Sequence, residues 1–320
     1  MSSRLWFPLI LLAFFSLSIG IAVGSVAISV PEIFDAVLGA EPGINREIVF
    51  RLRLPRVTAA FICGALLALS GLLLQVLLRN PLADPYILGV SGGASLAGLT
   101  ALVFGAAWSV VTGAAFIGAV AAIGLVFVLS FRAGGWRMEN LLLVGVIISA
   151  GFSALITLLL TLAPANDVRG MLFWLMGDLS HAQSPFLAAI VLALCGAVTL
   201  FVAPSLDVLS LGDGKAKSLG VNVASLQVMV YFCAAAACAA AVITAGALGF
   251  VGLIAPHGAR MLGAGDHRRL ALVSMLLGGS LVCLADTLAR SVIAPQQLPV
   301  GVLMALLGVP AMLFLVMRRK

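Results

Sequence analysis

The side chains best able to do chemistry are arginines beside apolar segments. Arg53 and Arg56 belong to RLRLPR at 51–56, where Pro55 suits the first turn of a helix and the two arginines then share a face. Guanidinium groups bind carboxylates through paired hydrogen bonds, and arginines also snorkel into lipid headgroups. The cluster therefore predicts either a docking patch for acidic groups of a partner or a set of headgroup anchors. Arg290 is expected to join it.

A carboxylate and a histidine stand inside apolar runs. Asp286 lies one helical turn before Arg290 in ADTLAR, which favours an i, i+4 ion pair over a proton relay. His257 in FVGLIAPHGAR is interpreted as a packing or hydrogen-bonding residue rather than a metal ligand. The five cysteines lack metal-ligand spacing and read as small core residues. We therefore predict no catalytic residue and no intrinsic metal site.

The longest polar break runs from 204 to 223, PSLDVLSLGDGKAKSLGVNV. Asp213 can cap a short helix that ends near Gly220, and Asn222 can cap the following segment. Lys215 and Lys217 place the helix in water or against a soluble partner, so a solvated connector and a docking segment both remain open. GDGKA at 212–216 lacks the earlier glycine and the Ser or Thr of a phosphate-binding loop. Any ATP-driven motor must therefore be another subunit.

Composition identifies the elements that must position these residues. Of 320 residues 62% are hydrophobic and 9% charged, too few charges to cover a water-soluble fold of this length. This excludes a soluble enzyme, a secreted domain and a DNA-binding module, and the net charge of +6 indicates membrane orientation rather than a nucleic-acid partner. We predict one all-α polytopic domain over 1–320, embedded in a lipid bilayer, with ten spans near 5–28, 56–78, 86–105, 110–131, 139–162, 185–203, 224–246, 249–263, 270–290 and 299–317.

Three details refine these spans. The segment 249–263 is short and interrupted by glycines, which predicts a tight re-entrant bend. Ala60, Gly64 and Ala68 recur every four residues, a spacing that lets a neighbouring helix approach closely in lipid. The first apolar run is too long for a signal peptide and is interpreted as an uncleaved span.

Lysine and arginine counts predict the orientation. With the N-terminus in the cytoplasm, twelve of the 18 Lys and Arg residues fall in loops on that side and six on the other. The positive-inside rule then places both termini in the cytoplasm. Four of the six arginines on the opposite side fall within 46–56, so this segment is an exception to the positive-inside rule.

Several motifs together resemble a known family, the permease subunits of binding-protein-dependent ABC importers for cobalamin, ferric siderophores and haem. The resemblance extends from Arg53 to about Leu315. It rests on RLPR at 53–56 with GALLALSG, RNPLADPYILGVSGGAS at 79–95, LGDGKAKSLGV at 211–221, GFVGLIAPHGARMLGAGDHR at 249–268, LADTLAR at 284–290 and LPVGVLMALLGVP at 298–310.

The resemblance implies a homodimer of ten-helix subunits in the bacterial inner membrane, with the translocation path on its two-fold axis. It implies two cytoplasmic ABC ATPase subunits that bind ATP and Mg, and a periplasmic binding protein that delivers the ligand. Arg53, Arg56 and Arg290 would dock that binding protein. The residues expected to couple to the ATPases are Leu211, Gly212, Asp213, Lys215, Ala216, Leu219 and Gly220.

In this family a short helix after the fifth span, here about 170–180, lines the outer pore. The resemblance therefore marks Trp174, Gly177 and Asp178 in WLMGDLS as pore-lining candidates. Asp178 departs from the family pattern, in which a small residue is usual. It is expected to cap the next segment rather than to bias ligand choice.

Two other classes of protein compete with the importer permease. A carrier driven by an ion gradient would need ionisable residues deep in the spans, and a membrane scaffold would need no docking features on either face. We rank the expected substrates as ferric siderophore, then cobalamin, then haem. The differences between them are small, because nothing in the apolar pore selects among them.

Overall fold

The computed structural model describes residues 6–26, 28–39, 43–133, 138–180, 182 and 184–317. These residues form helices joined by short connections. In chain order they are α1 Trp6–Ala22, α2 Val30–Leu38, α3 Ile44–Glu47, a π-helical segment Ile48–Arg53, α4 Leu54–Leu77, a 3₁₀ turn Pro85–Leu88, α5 Val90–Val103, α6 Trp108–Arg132, α7 Met138–Leu162, α8 Ala165–Leu175, α9 Phe186–Ser210, α10 Asp213–Ser218, α11 Val223–Ala245, α12 Val251–Met261, α13 His267–Ser291 and α14 Val300–Met317.

Each of the ten predicted spans coincides with a helix, which confirms the all-helical fold. Among the described residues, six segments are long and apolar enough to cross a membrane, whereas three apolar helices and α12 are shorter. The ten crossings and the homodimer therefore stay predictions. The six segments are Ile44–Leu77, Trp108–Arg132, Met138–Leu162, Phe186–Ser210, Val223–Ala245 and His267–Ser291.

Helix α4 is the centre of the bundle and packs against α11, α12 and α13. Small residues permit this packing, as the Ala60, Gly64 and Ala68 spacing predicted. A Cβ on Gly64 would overlap the backbone carbonyl of Gly278 in α13, and one on Gly71 would overlap that of Gly252 in α12. By contrast α7 buries little of its surface within the subunit. Most of the α7 surface therefore lies on the outside of this subunit.

The second predicted span begins earlier than the sequence indicated. The helix starts at Ile44 rather than near 56 and passes through the π-helical segment before Pro55. The N–H of Leu54 bonds to the carbonyl of Val49, five residues back. A π-helical turn shifts the bonding register, so a proline that lacks an N–H can follow without ending the helix.

The predicted polar break at 204–223 is also shorter than expected. Helix α9 continues through Pro204 to Ser210, because Leu206 and Leu209 in its last turns are buried and hold that end of the helix. The re-entrant segment is the short helix α12, which follows a non-helical stretch at 246–250. Its preceding Phe250 has a positive φ of 68°.

Candidate docking sites at the two ends of the bundle

Asp286 holds two arginines at the end of α13. The side chain is fully buried, and Arg56 Nε donates to its Oδ1 at 3.0 Å while a second guanidinium nitrogen, Nη2, donates at 2.9 Å. Arg290 Nε lies 3.0 Å from Oδ2. The predicted Asp286–Arg290 pair is thus confirmed. The role of Arg56 was missed, because no local pattern links residues 230 positions apart.

The remaining donors of these arginines are also used inside the chain. Arg56 Nη1 donates to Gln297 at 2.8 Å, and Arg290 Nη2 donates to the carbonyl of Gly20 at 3.0 Å. Arg53 donates to three backbone carbonyls, those of Ile21 and Ala22 at the end of α1 and that of Val26 just beyond it.

The structure therefore brings the three predicted docking arginines together, with each less than a tenth exposed. Their bonds tie α1, α4 and α13 into one outer arginine cluster, defined as Arg53, Arg56, Asp286 and Arg290. Three positive charges against one carboxylate leave the cluster cationic. Its predicted contact with a binding protein stays a prediction.

A cavity of about 880 Å³ lies over this cluster. Its wall includes Arg51, Ser180 and Gln297 beside the three clustered arginines. The side chain of Arg51 is 78% exposed and pairs with Glu47 at 2.8 Å. Arg51 is therefore the guanidinium most available to a partner at this end, although the sequence argument set it aside. The i, i+4 spacing of Glu47 and Arg51 was the sequence signal that could have indicated their ion pair.

At the opposite end, α10 forms a short exposed element between α9 and α11. The prediction that Asp213 caps this helix is wrong, because the N-cap residue is Gly212. Gly212 adopts a φ of 112°, a conformation that favours glycine. Gly220 also has a positive φ, and the Asn222 side chain accepts from the Ser225 N–H at 3.2 Å, as predicted. The segment contains one short helix, α10.

Asp213 ties α10 to the end of α4 instead of capping it. Its carboxylate forms an ion pair with Arg79, which follows α4, and accepts from Gln227 of α11 at 3.3 Å. Arg79 has a φ of 47°, uncommon for a residue with a side chain. The sequence did not predict this pair, because the partners lie 134 positions apart.

The side chains of α10 divide into an anchor and an exposed face. Ala216 is buried, whereas Lys215 is exposed together with the large apolar residues that flank the helix, Leu211 at 59% and Leu219 at 65%. Exposed leucines beside lysines, at the end of a membrane bundle, are typical of a surface that a protein partner covers. The coupling role of this segment stays a prediction.

The two candidate sites lie at opposite ends of α4. Arg56 is in its first turn and Arg79 immediately follows its last. At 1.5 Å per residue the stretch between them spans about 35 Å, enough to cross a bilayer core of about 30 Å. The arginine cluster and α10 can therefore face opposite sides of a membrane.

The predicted pore-lining segment is helix α8 with the turn after it. Trp174 is buried against Gly98 of α5, and the backbone of Gly177 accepts from the Val300 N–H at 3.0 Å. In this subunit these two residues serve packing. Asp178 accepts from the Ser180 N–H at 2.7 Å, closing a turn rather than capping a helix. Pore lining by this segment stays a prediction.

The motif at 79–95 contains a connector whose central part, at Ala83 and Leu88, is packed inside the molecule. Asp84 accepts from the Tyr86 N–H at 2.9 Å, and burial raises the pKa of this carboxyl. The Tyr86 hydroxyl accepts from the Leu248 N–H at 2.6 Å, joining the connector to the break before α12. Within the described ranges no three His, Cys, Asp or Glu side chains are grouped as metal ligands would be.

Comparison with known proteins supports this organisation. The hemin transport system permease HmuU of Yersinia pestis is 40% identical, over 86% of this chain and 84% of its own. The molybdate import permease MolB of Haemophilus influenzae is 34% identical, over 99% and 96%. A solved structure described as an inward-facing metal-chelate type ABC transporter superimposes with a TM-score of 0.88 at 33% identity, covering 99% of this chain and 100% of its own.

An all-helical bundle with these relatives defines the class, a multi-span permease subunit of an ABC import system. The chain belongs to the FecCD transport family, whose sequence profile matches residues 9–318. Members of this family are transport permeases rather than catalytic subunits, and they work with ATPase and binding-protein components.

Proposed function

We propose that this chain is the permease subunit of an ATP-driven importer that carries an iron chelate, either a ferric siderophore or haem, or cobalamin into the cytoplasm. The family match over residues 9–318 carries the proposal. Relatives named for hemin and cobalamin, both large metal chelates, support the cargo class. The relative named for molybdate shows that the same framework also serves a small oxyanion, so molybdate belongs in the test.

The proposed working unit is a homodimer with two ATPase subunits and a periplasmic binding protein. ATP and Mg bind in the ATPases, and their closure moves α10. The Arg79–Asp213 pair passes this motion to α4, whose other end carries the outer arginine cluster. The path on the two-fold axis then opens alternately to each side.

The proposed location is the bacterial inner membrane, with both termini and α10 on the cytoplasmic side. The support is the twelve-to-six distribution of Lys and Arg between the two sets of loops. Arg51 and the arginine cluster then face the periplasm, where the binding protein arrives.

A carrier driven by an ion gradient has less support. Such a carrier needs a carboxylate deep in the bundle that exchanges protons or ions. Asp286 is buried, but two arginines already bind its carboxylate inside the bundle. Asp286 therefore serves as a structural counterion.

The deciding experiment is uptake into proteoliposomes that contain this subunit and its co-purifying ATPase. The binding protein is loaded in turn with ferric siderophore, cobalamin, haem or molybdate. ATP-dependent uptake of one of the three chelates supports the proposal and names the cargo. Uptake of molybdate alone would overturn the cargo class. Uptake that needs an ion gradient and no ATPase would overturn the importer itself.

A further inference from the structure

Two cysteines face one another across the helices that flank α10. The Cys195 thiol in α9 donates to the carbonyl of Cys233 in α11 at 3.6 Å, and the Cys233 thiol donates to the carbonyl of Cys195 at 3.6 Å. Such a reciprocal arrangement requires close helix backbones and side chains that point toward each other.

The geometry suits a covalent bond between the two sulfur atoms. A carbonyl oxygen lies about 2.4 Å from its own Cα, so each sulfur lies within about 6 Å of the other residue's Cα. Disulfides form between residues whose Cα atoms are about 4.4–6.8 Å apart and whose Cβ atoms point together. Both thiols are free in the structure.

A disulfide between Cys195 and Cys233 would constrain α10. Cys195 and Cys233 are 38 positions apart, and α10 lies in the chain between them. The end of α9 leads directly into α10, and α11 leads directly away from it. A covalent link between α9 and α11 would hold the two stems of α10 at a fixed separation.

We propose that Cys195 and Cys233 are a redox-modifiable pair whose disulfide locks the α9–α11 stem of α10. The formation of the disulfide stands on the geometry alone, whereas its effect on transport rests on the proposed coupling function of α10. The oxidant is a peroxide that reaches the half-buried Cys233, since a neutral peroxide enters the membrane.

The chemistry balances with one peroxide for each pair. One thiol gives up its proton and its sulfur attacks a peroxide oxygen, the O–O bond breaks, and the departing hydroxide takes up that proton, so that a sulfenic acid and one water result. The second sulfur then attacks the sulfenic sulfur, the S–S bond forms, and the S–O bond breaks to release a second water. The thiols lose two electrons and the peroxide gains them. A dithiol reductant reverses the change.

The test uses the full chain in proteoliposomes with its ATPase subunits and Mg-ATP. Hydrogen peroxide, with copper–phenanthroline as a stronger oxidant, is added before peptide mapping by mass spectrometry and before measurement of the ATP hydrolysis rate. The variants are Cys195→Ser and Cys233→Ser. The matched control is Cys283→Ser, because the Cys283 thiol donates to the carbonyl of Ser16 in a different part of the bundle.

We expect a linked Cys195–Cys233 peptide in the wild type and in Cys283→Ser. ATP hydrolysis should fall several-fold and recover with reductant, while Cys195→Ser and Cys233→Ser stay active and insensitive. Independent alkylation of both cysteines after copper–phenanthroline, with no linked peptide, would overturn the pair. If the disulfide-linked protein hydrolyses ATP at the unmodified rate, the proposal that the disulfide locks the α9–α11 stem is overturned. Peptide mapping needs no ATPase, so failure of the proposed function is seen separately.

Discussion

Arg56 and Asp286 form a two-pronged ion pair that joins the start of α4 to the end of α13, with donor–acceptor distances of 2.9 and 3.0 Å. The same carboxylate binds Arg290, so one buried charge organises two guanidinium groups. Buried ion pairs are retained only when their partners satisfy one another, because desolvation of either ion alone costs several kcal/mol. The arginine cluster therefore depends on a counterion that has no exposed area.

Replacement of Asp286 by Asn should destabilise the protein by about 3 kcal/mol or more, since two buried arginines lose their shared counterion. Thermal unfolding in detergent measures the change. The control is Asp266→Asn, because Asp266 and its partner Arg269 are more than 40% exposed and such a pair contributes less than about 1 kcal/mol. Equal unfolding temperatures for the two variants would contradict a structural role for Asp286.

Replacement of Arg51 by Glu should weaken association with the binding protein and reduce its dependence on salt, because Arg51 is the most exposed guanidinium at the cavity. The fold should be unaffected, since the Glu47 pair is exposed. Affinity measured at low and high salt tests this. Arg53→Glu is the comparison, and we expect it to lower stability as well, because Arg53 binds three backbone carbonyls. If Arg51→Glu binds the binding protein with unaltered affinity, then Arg51 is not part of the docking surface.

Charge reversal of Lys215 together with Leu219→Ala should uncouple ATP hydrolysis from uptake or prevent assembly with the ATPase. The change removes a charge and an apolar side chain from the exposed face of α10. Co-purification and the ratio of uptake to hydrolysis measure the effect. The control is Phe201→Ala, which removes an apolar side chain of α9 that is 85% exposed, against 65% for Leu219. Normal ligand-stimulated uptake in the double variant would remove the coupling assignment.

Asp213→Asn should lower the uptake obtained per ATP while the protein stays folded, because the ion pair with Arg79 joins α10 to α4 but is nearly half exposed. An exposed pair contributes less than about 1 kcal/mol to stability. The exchange variant, Arg79→Asp with Asp213→Arg, should restore part of the coupling. If the exchange variant is no better than Asp213→Asn, the pair does not transmit the motion.

Gly64→Ala should destabilise the bundle by several kcal/mol, since its Cβ would overlap the Gly278 carbonyl and α4 would have to move away from α13. Gly124→Ala is the matched control, because Gly124 lies inside α6 with nothing near its Cβ position. That change should be neutral or stabilising by up to about 1 kcal/mol. Equal unfolding temperatures for the two variants would argue against close α4–α13 packing.

Sequence alone determined what depends on local chemistry. Hydrophobicity and length located a helix at each of the ten predicted segments, because an apolar run in lipid must satisfy its backbone internally. The i, i+4 spacing of Asp286 and Arg290, the cap at Asn222 and the small residues around Gly64 were also readable, since each interaction lies within a few residues or depends on residue size.

Only the tertiary structure decided how distant segments combine. The pairs Arg56–Asp286 and Arg79–Asp213 join residues more than a hundred positions apart, and no local pattern specifies them. Helix limits at Pro55 and Pro204 likewise depended on a shifted backbone register and on buried leucines beyond the proline. Arg53 and Arg56 looked free in the sequence, but folding surrounds them with carbonyls and a carboxylate. Their internal role therefore follows from packing, which residue order alone does not encode.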